Sequence, residues 1–220
     1  MERMTASAPS PRARATRWKA AFWLLGLAVA GHFLWVTAQR YAQVTPEAYG
    51  MFWDRRTWLW LHVAGGSLAM LAGASQFVAA LRRRWPAVHR WLGRTYLLGI
   101  LLGSTAVVGL LVTTQGWLAL KLAFAATGLA WLITSLRGYR TIRRGEVDAH
   151  RRWMLRSYLV TLSPAVFRLF LLVPPLMQLA SPLVMVPSLL VVSWALPLLG
   201  YEMGRRLPRL RAAPVRARMA

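Results

Sequence analysis

The chain has 220 residues, of which 57% are hydrophobic, and it carries a formal net charge of +22 with only six acidic residues. Apolar runs close to 20 residues alternate with charged segments, and this pattern excludes a single soluble domain and indicates a multi-pass membrane protein. The absence of cysteine excludes disulfide bonds and thiolate metal sites.

Six apolar runs predict six membrane-spanning helices between two polar tails. Residues 1–17 are basic and rich in Pro, Ser and Ala, so we expect a disordered tail, and residues 205–220 form a second, Arg-rich tail. Between them, residues 18–204 are predicted to form an all-α, six-helix transmembrane bundle. The predicted spans are 18–38, 57–80, 91–113, 117–136, 153–173 and 183–201. The small residues 36–38 also allow a cleaved signal peptide, although the first run is longer than a usual signal core.

The basic residues are distributed unequally between the two sides of the predicted membrane domain. With six spans, four segments lie on the same side as the termini, and they contain 23 of the 28 Lys and Arg residues, whereas the other side contains four. These four segments are 1–19, 81–94, 137–156 and 205–220. The positive-inside rule therefore predicts cytoplasmic termini in a bacterial inner membrane. The charge is explained by topology and by attraction to anionic lipids, and a nucleic-acid partner is not expected because no basic domain lies outside the bilayer.

The predicted membrane domain contains an internal repeat. Residues 57–97 and 116–159 both open on Trp-Leu-x-Leu, and both close on His-Arg followed by a Trp and then Arg-(Thr/Ser)-Tyr-Leu. Each copy reads as an outward-to-inward helix, a turn and an inward-to-outward helix, so the repeats are parallel. The two helix hairpins are predicted to form a four-helix core in which His89 and His150 face each other.

Ionisable residues of the predicted spans fall at two depths. The inner level contains His89 and His150, at the cytoplasmic surface. The outer level contains His32, His62, Lys121 and Arg168. No Asp or Glu falls within any predicted span, and ionisable residues at membrane depth usually mark function. A basic cluster without acids indicates an anionic or electron-rich ligand, or a water-filled vestibule.

The inner histidines are candidate axial ligands of a haem iron, because two neutral imidazoles on facing helices can ligate haem b. Lys121 and Arg168 would then face anionic groups such as haem propionates or a quinone oxygen. The alternatives are interfacial anchors that bind lipid phosphates for the two histidines, and a snorkelling side chain for Lys121. Glycines of the repeat permit close approach of a macrocycle or of another helix. These are Gly65, Gly66, Gly73 and Gly93.

Two strings within residues 57–170 resemble a known family. They are His-Arg-x-x-Gly-Arg-x-Tyr from His89, and His-Arg-x-Trp-Met-x-Arg-Ser-Tyr from His150, accompanied by His62, Gln76 and Arg168. The pattern is similar to that of the domain of unknown function 2306 family of prokaryotic multi-pass membrane proteins, and it implies architecture rather than chemistry. A more distant similarity to di-haem transmembrane b-type cytochromes implies one haem at the inner level, because the second repeat has Lys121 where the first has His62.

Three functions remain open at this point. The first is a membrane electron carrier that uses haem b or a quinone and, if it is an enzyme, serves as a membrane oxidoreductase component. The second is a small transporter or lipid-interacting protein whose basic outer vestibule takes an anionic or amphiphilic ligand. The third is a membrane partner whose Arg-rich tails bind a soluble protein. Hydrolysis is not expected, because the sequence shows no catalytic triad pattern, no pair of acids and no metal-ligand motif.

Overall fold

The computed structural model describes residues 11–216, which are helical apart from short connections. The chain divides into two units, residues 1–42 and 43–220. The first unit contains helix α1, Pro11–Ala42. This helix is longer than the predicted span 18–38 and includes residues 11–17, for which the sequence predicted a disordered tail. The remainder of that tail, residues 1–10, lies outside the described residues.

The second unit is built from nine further α-helices and one 3₁₀ helix in its described part. The elements are α2 Pro46–Tyr49, the 3₁₀ helix Gly50–Arg55, α3 Arg56–Ser75, α4 Ala79–Arg84, α5 Pro86–Thr113, α6 Leu118–Arg143, α7 Val147–Thr161, α8 Ser163–Leu171, α9 Pro174–Gln178 and α10 Pro182–Arg216. Prolines occupy the first turns of α2, α5, α8 and α9. A backbone N–H in the first turn has no hydrogen-bond partner within the helix, so proline, which lacks this N–H, is tolerated there. Gly145, at φ +76°, lies in the turn between α6 and α7, where other residues would be strained.

Four helical segments of the described chain are long and apolar enough to cross a membrane. They are Pro86–Thr113, Leu118–Arg143, Val147–Leu171 and Pro182–Arg206. These segments correspond to the last four predicted spans, so the multi-pass character of the chain is confirmed. The first two predicted spans are also helical, as α1 and α3, but they are not among these four.

Helix boundaries differ from the predicted spans for physical reasons. The predicted linker 137–152 is mostly helical, because α6 continues through its polar end to Arg143 and α7 begins at Val147. The predicted fifth span is divided at Leu162, where Pro164 in the first turn of α8 has no N–H to continue the bonding of α7. Helix α10 continues through Pro187 and Pro197, as membrane helices often do.

Helices α3 and α5 pack along each other, and so do α6 and α7. The α3–α5 contact is a close approach of backbones. A Cβ atom added to Gly65 would lie 2.6 Å from the Gly103 nitrogen and 2.7 Å from the Gly99 oxygen. Small residues at such positions allow membrane helices to touch without side chains between them. The two helix pairs therefore form the framework that positions the histidines.

Candidate ligand site at the start of helices α5 and α7

His89 and His150 occupy the same position in two helices, the fourth residue of α5 and the fourth residue of α7. Both side chains are half-buried. The two predicted inner histidines therefore stand at equivalent positions at the starts of α5 and α7.

The His150 ring is held by the backbone of α6. Its Nδ1 lies 2.8 Å from the carbonyl oxygen of Gly138. A carbonyl only accepts, so Nδ1 carries the hydrogen and donates it, and Nε2 keeps its lone pair. Helices α6 and α7 approach closely here, since a Cβ atom on Gly138 would lie 2.7 Å from the Met154 sulfur. Histidines that bind metals usually donate their second ring N–H in this manner.

The His89 ring lacks such a fixed partner. Its Nδ1 atom is buried and makes no hydrogen bond within the described part of the chain. Leaving a buried polar atom unsatisfied costs about 1–3 kcal/mol, so such an atom usually has a partner in the working state. Of the two histidines, His150 therefore has a fixed ring orientation and His89 has a buried nitrogen without a partner in the described residues.

A buried hydroxyl network lies deeper in the bundle on the same helix faces. Tyr96 and Ser157 each follow a site histidine by seven residues, which is two helical turns or about 10 Å of rise. The Tyr96 hydroxyl lies 2.6 Å from the Ser157 oxygen and 2.9 Å from the Thr161 oxygen. Both Tyr96 and Ser157 are completely buried. The contact shows that the two histidine-bearing faces meet at this depth.

Helix α6 completes the network. The Trp131 Nε1–H donates to the Thr161 hydroxyl at 2.8 Å, and the Ser135 and Ser157 hydroxyl oxygens are 2.8 Å apart. These bonds connect α5, α6 and α7 in the interior, where an unpaired hydroxyl would be costly. The network is not visible in the sequence, because Ser and Thr at these spacings are common in membrane helices and only the helix rotations determine which of them meet.

Gly73 of α3 makes room for aromatic rings in this region. A Cβ atom there would lie 2.7 Å from the Tyr158 ring and 2.8 Å from the Tyr96 ring. Gly65 is used for the α3–α5 backbone contact. At these two positions, the close approach that the glycines permit is to tyrosine rings and to a neighbouring helix.

The predicted outer residues lie on separate helices. His62 of α3 contacts the Gly103 oxygen through Nδ1 at 3.3 Å. Lys121 lies in the first turn of α6, Arg168 lies on α8, and both are half-buried. His32 is exposed on α1, which belongs to the other unit.

An ion pair between α7 and α10 is a second polar feature that sequence reasoning missed. The Arg156 Nε donates to the Glu202 carboxylate at 2.8 Å, and its guanidinium also lies over the Trp153 and Tyr201 rings at 4.5 and 5.4 Å. Glu202 is the last of the six acidic residues and follows a long apolar run. A single acid in that position was a signal that a basic residue pairs with it.

The chain was compared with known proteins at the level of sequence and of structure. Residues 59–199 match the family model DUF2306, which is described as a predicted membrane protein. No curated protein and no solved structure matches the chain. The matched region covers more than half of the sequence and contains both site histidines, the hydroxyl network and Arg168. The chain therefore belongs to the DUF2306 family of predicted membrane proteins.

Proposed function

We propose that this membrane protein carries electrons through one b-type haem held by His89 and His150. The observation that supports the proposal is that His89 and His150 lie on faces of α5 and α7 that meet at Tyr96 and Ser157, with the His150 ring oriented by a carbonyl and the buried His89 Nδ1 without a partner in the described structure. Two imidazoles are a sufficient protein ligand set for haem iron. The residues present therefore fit the group in donor type and number.

Each residue of the site has a role under this proposal. Haem would supply a one-electron redox couple when bound. His150, whose ring is oriented by the Gly138 carbonyl, and His89 would be the two residues that hold the iron. Arg82 and Arg90 flank His89 in the sequence and would be suited to neutralise carboxylates of the bound group. The buried hydroxyl network beneath would hold α5, α6 and α7 in register.

The proposed topology is a six-span bundle in a bacterial inner membrane, with both termini in the cytoplasm. The excess of basic residues on one predicted side supports this orientation. Helices α1 and α3 would add two spans to the four apolar segments. The pairs α3–α5 and α6–α7 would be the two parallel repeats, which is supported by the matching positions of His89 and His150. A membrane quinone or a soluble redox protein would exchange electrons with the haem at the end of the bundle where His89 and His150 lie.

The test is a reduced-minus-oxidised visible spectrum of protein that is expressed with ample haem and purified in mild detergent. We expect a b-type signal in the unmodified protein, and we expect its loss in His89→Ala and in His150→Ala. His32→Ala is the matched control and should keep the signal. Size-exclusion profiles establish that each variant is folded. A colourless unmodified protein, or a signal that survives in both inner variants, would refute the proposal.

A second candidate is a small transporter or lipid-interacting protein that takes an anionic or amphiphilic ligand. It is favoured by Lys121 and Arg168, which are half-buried within apolar segments where a cation is costly. Under this alternative the purified protein is colourless, and dodecyl phosphate raises its unfolding temperature. We then expect Arg168→Ala to remove that effect, whereas Arg55→Ala, outside the four apolar segments, should leave it intact.

A further inference from the structure

A shallow groove runs between α5 and α6 on the outside of the bundle, with a volume of about 230 Å³. Its lining is almost entirely apolar. The lining residues are Leu97, Ile100, Leu101, Leu132, Ser135, Leu136 and Tyr139. Leu101, Leu136 and Tyr139 are exposed there, so their apolar surfaces are available to a ligand. Along α6 the lining extends over seven residues, which corresponds to about 10 Å.

Both walls of the groove lead to arginines at the same end of the bundle. On α5, the groove runs from Leu101 to Leu97 toward the N-terminus of the helix. Arg94 lies on the same face, three residues beyond Leu97. On α6, Leu136 and Tyr139 are followed by Arg140 and Arg143, and the Tyr139 hydroxyl accepts a hydrogen bond of 3.1 Å from Arg143. The helices are consecutive and joined by a short turn, so they run antiparallel. The arginines of both helices therefore lie at the same end of the groove, which we call its mouth.

We propose that this groove binds one acyl chain of an anionic phospholipid, whose phosphate contacts Arg140 and Arg143. The occupant follows from the surroundings and from the charge. An exposed apolar depression on a membrane-spanning surface is covered by acyl chains, and three arginines at its mouth complement an anionic headgroup. The site is separate from the histidine pair, and it does not depend on whether haem is bound.

The arginines determine which lipid is selected. Acyl chains are as apolar as the leucine side chains, so the groove alone gives little preference for one lipid over another. Each basic residue near the headgroup strengthens binding of an anionic lipid by about fivefold. Removal of both Arg140 and Arg143 should therefore weaken the binding of an anionic lipid by about 25-fold and leave a zwitterionic lipid almost unaffected.

The experiment titrates delipidated full-length protein with dioleoyl phosphatidylglycerol or dioleoyl phosphatidylcholine and counts bound lipid by native mass spectrometry. We expect tighter binding of phosphatidylglycerol, and we expect this preference to be lost in Arg140→Gln/Arg143→Gln. The matched control is Arg151→Gln/Arg152→Gln, which removes the same charge from α7. A third variant, Leu136→Trp, fills the groove and should weaken binding although every arginine remains.

Three outcomes would overturn the proposal. Equal binding of the two lipids would show that no headgroup is selected. Equal losses in the α6 and α7 double variants would show diffuse attraction to a basic surface. Undiminished binding in Leu136→Trp would show that the acyl chain does not occupy the groove. Thermal unfolding of each variant ensures that a loss of binding is not a loss of folding.

Discussion

Gly65 and Gly66 are adjacent on α3 but meet different surroundings, so replacing each with alanine tests the packing of α3 against α5. A Cβ atom on Gly65 would lie 2.6 and 2.7 Å from backbone atoms of α5, whereas a Cβ atom on Gly66 would meet nothing within 4 Å. Backbone atoms cannot rotate aside, so in Gly65→Ala the two helices must separate by about 1 Å to restore ordinary contact distances.

The expected difference between the two variants follows from this contrast. Both gain the same helix propensity, about 1 kcal/mol for Gly to Ala, and this gain cancels in the comparison. Forcing one extra methyl group into a packed interior typically costs about 1–3 kcal/mol. Gly65→Ala should therefore be about 1–3 kcal/mol less stable than Gly66→Ala, which corresponds to a difference in Tm of about 2–12 °C for a chain of this size.

The assay is thermal unfolding in mild detergent followed by tryptophan fluorescence, which the twelve Trp residues make sensitive. Gly66→Ala should unfold at or above the temperature of the unmodified protein, and Gly65→Ala clearly below it. Equal unfolding temperatures for the two variants would refute the close α3–α5 contact. A lower temperature for Gly66→Ala alone would mean that α3 is rotated from the orientation described.

Three further predictions concern the interior polar contacts. Tyr96→Phe removes two short hydrogen bonds and should cost about 1–2 kcal/mol, whereas Tyr158→Phe removes one bond of 3.3 Å and should cost less; equal losses in chemical unfolding would contradict the network. Arg156→Lys should lower Tm nearly as much as Arg156→Ala, because an ammonium group cannot replace a guanidinium that both stacks on Trp153 and hydrogen-bonds to Glu202. An unchanged Tm in Arg156→Lys would contradict these two contacts. Ser135→Cys/Ser157→Cys should form a disulfide under mild oxidation, since the two hydroxyl oxygens lie 2.8 Å apart and the chain has no other cysteine; free thiols by mass spectrometry would place α6 and α7 further apart.

The sequence predicted helices best where residue composition alone determines the structure. Apolar runs located the four long segments, because a membrane requires about 20 apolar residues to cross. Hydropathy did not locate the end of α6, since a helix continues beyond the bilayer wherever its backbone bonds continue, here to Arg143. The division at Leu162 was readable from Pro164, but the apolar run around it masked the signal.

The candidate site was predictable only in part. The repeat predicted equivalent positions for His89 and His150, and each is the fourth residue of its helix in the structure. The Gly138 carbonyl that orients His150 could not be anticipated, because that contact depends on how far α6 extends and how α7 is rotated against it. The Arg156–Glu202 pair spans 46 residues of sequence, and spacing alone does not determine contacts at that range.

The proposal that one haem binds to each chain is tested most directly by pyridine haemochrome quantitation of the purified protein. We predict one b-type haem per chain, because one pair of histidines stands at equivalent positions at the starts of α5 and α7. Two haems per chain would require a second pair and would bring in His62 and His32. No haem, in protein produced with ample supply, would contradict the proposal and leave the half-buried cations Lys121 and Arg168 as the place to seek a ligand.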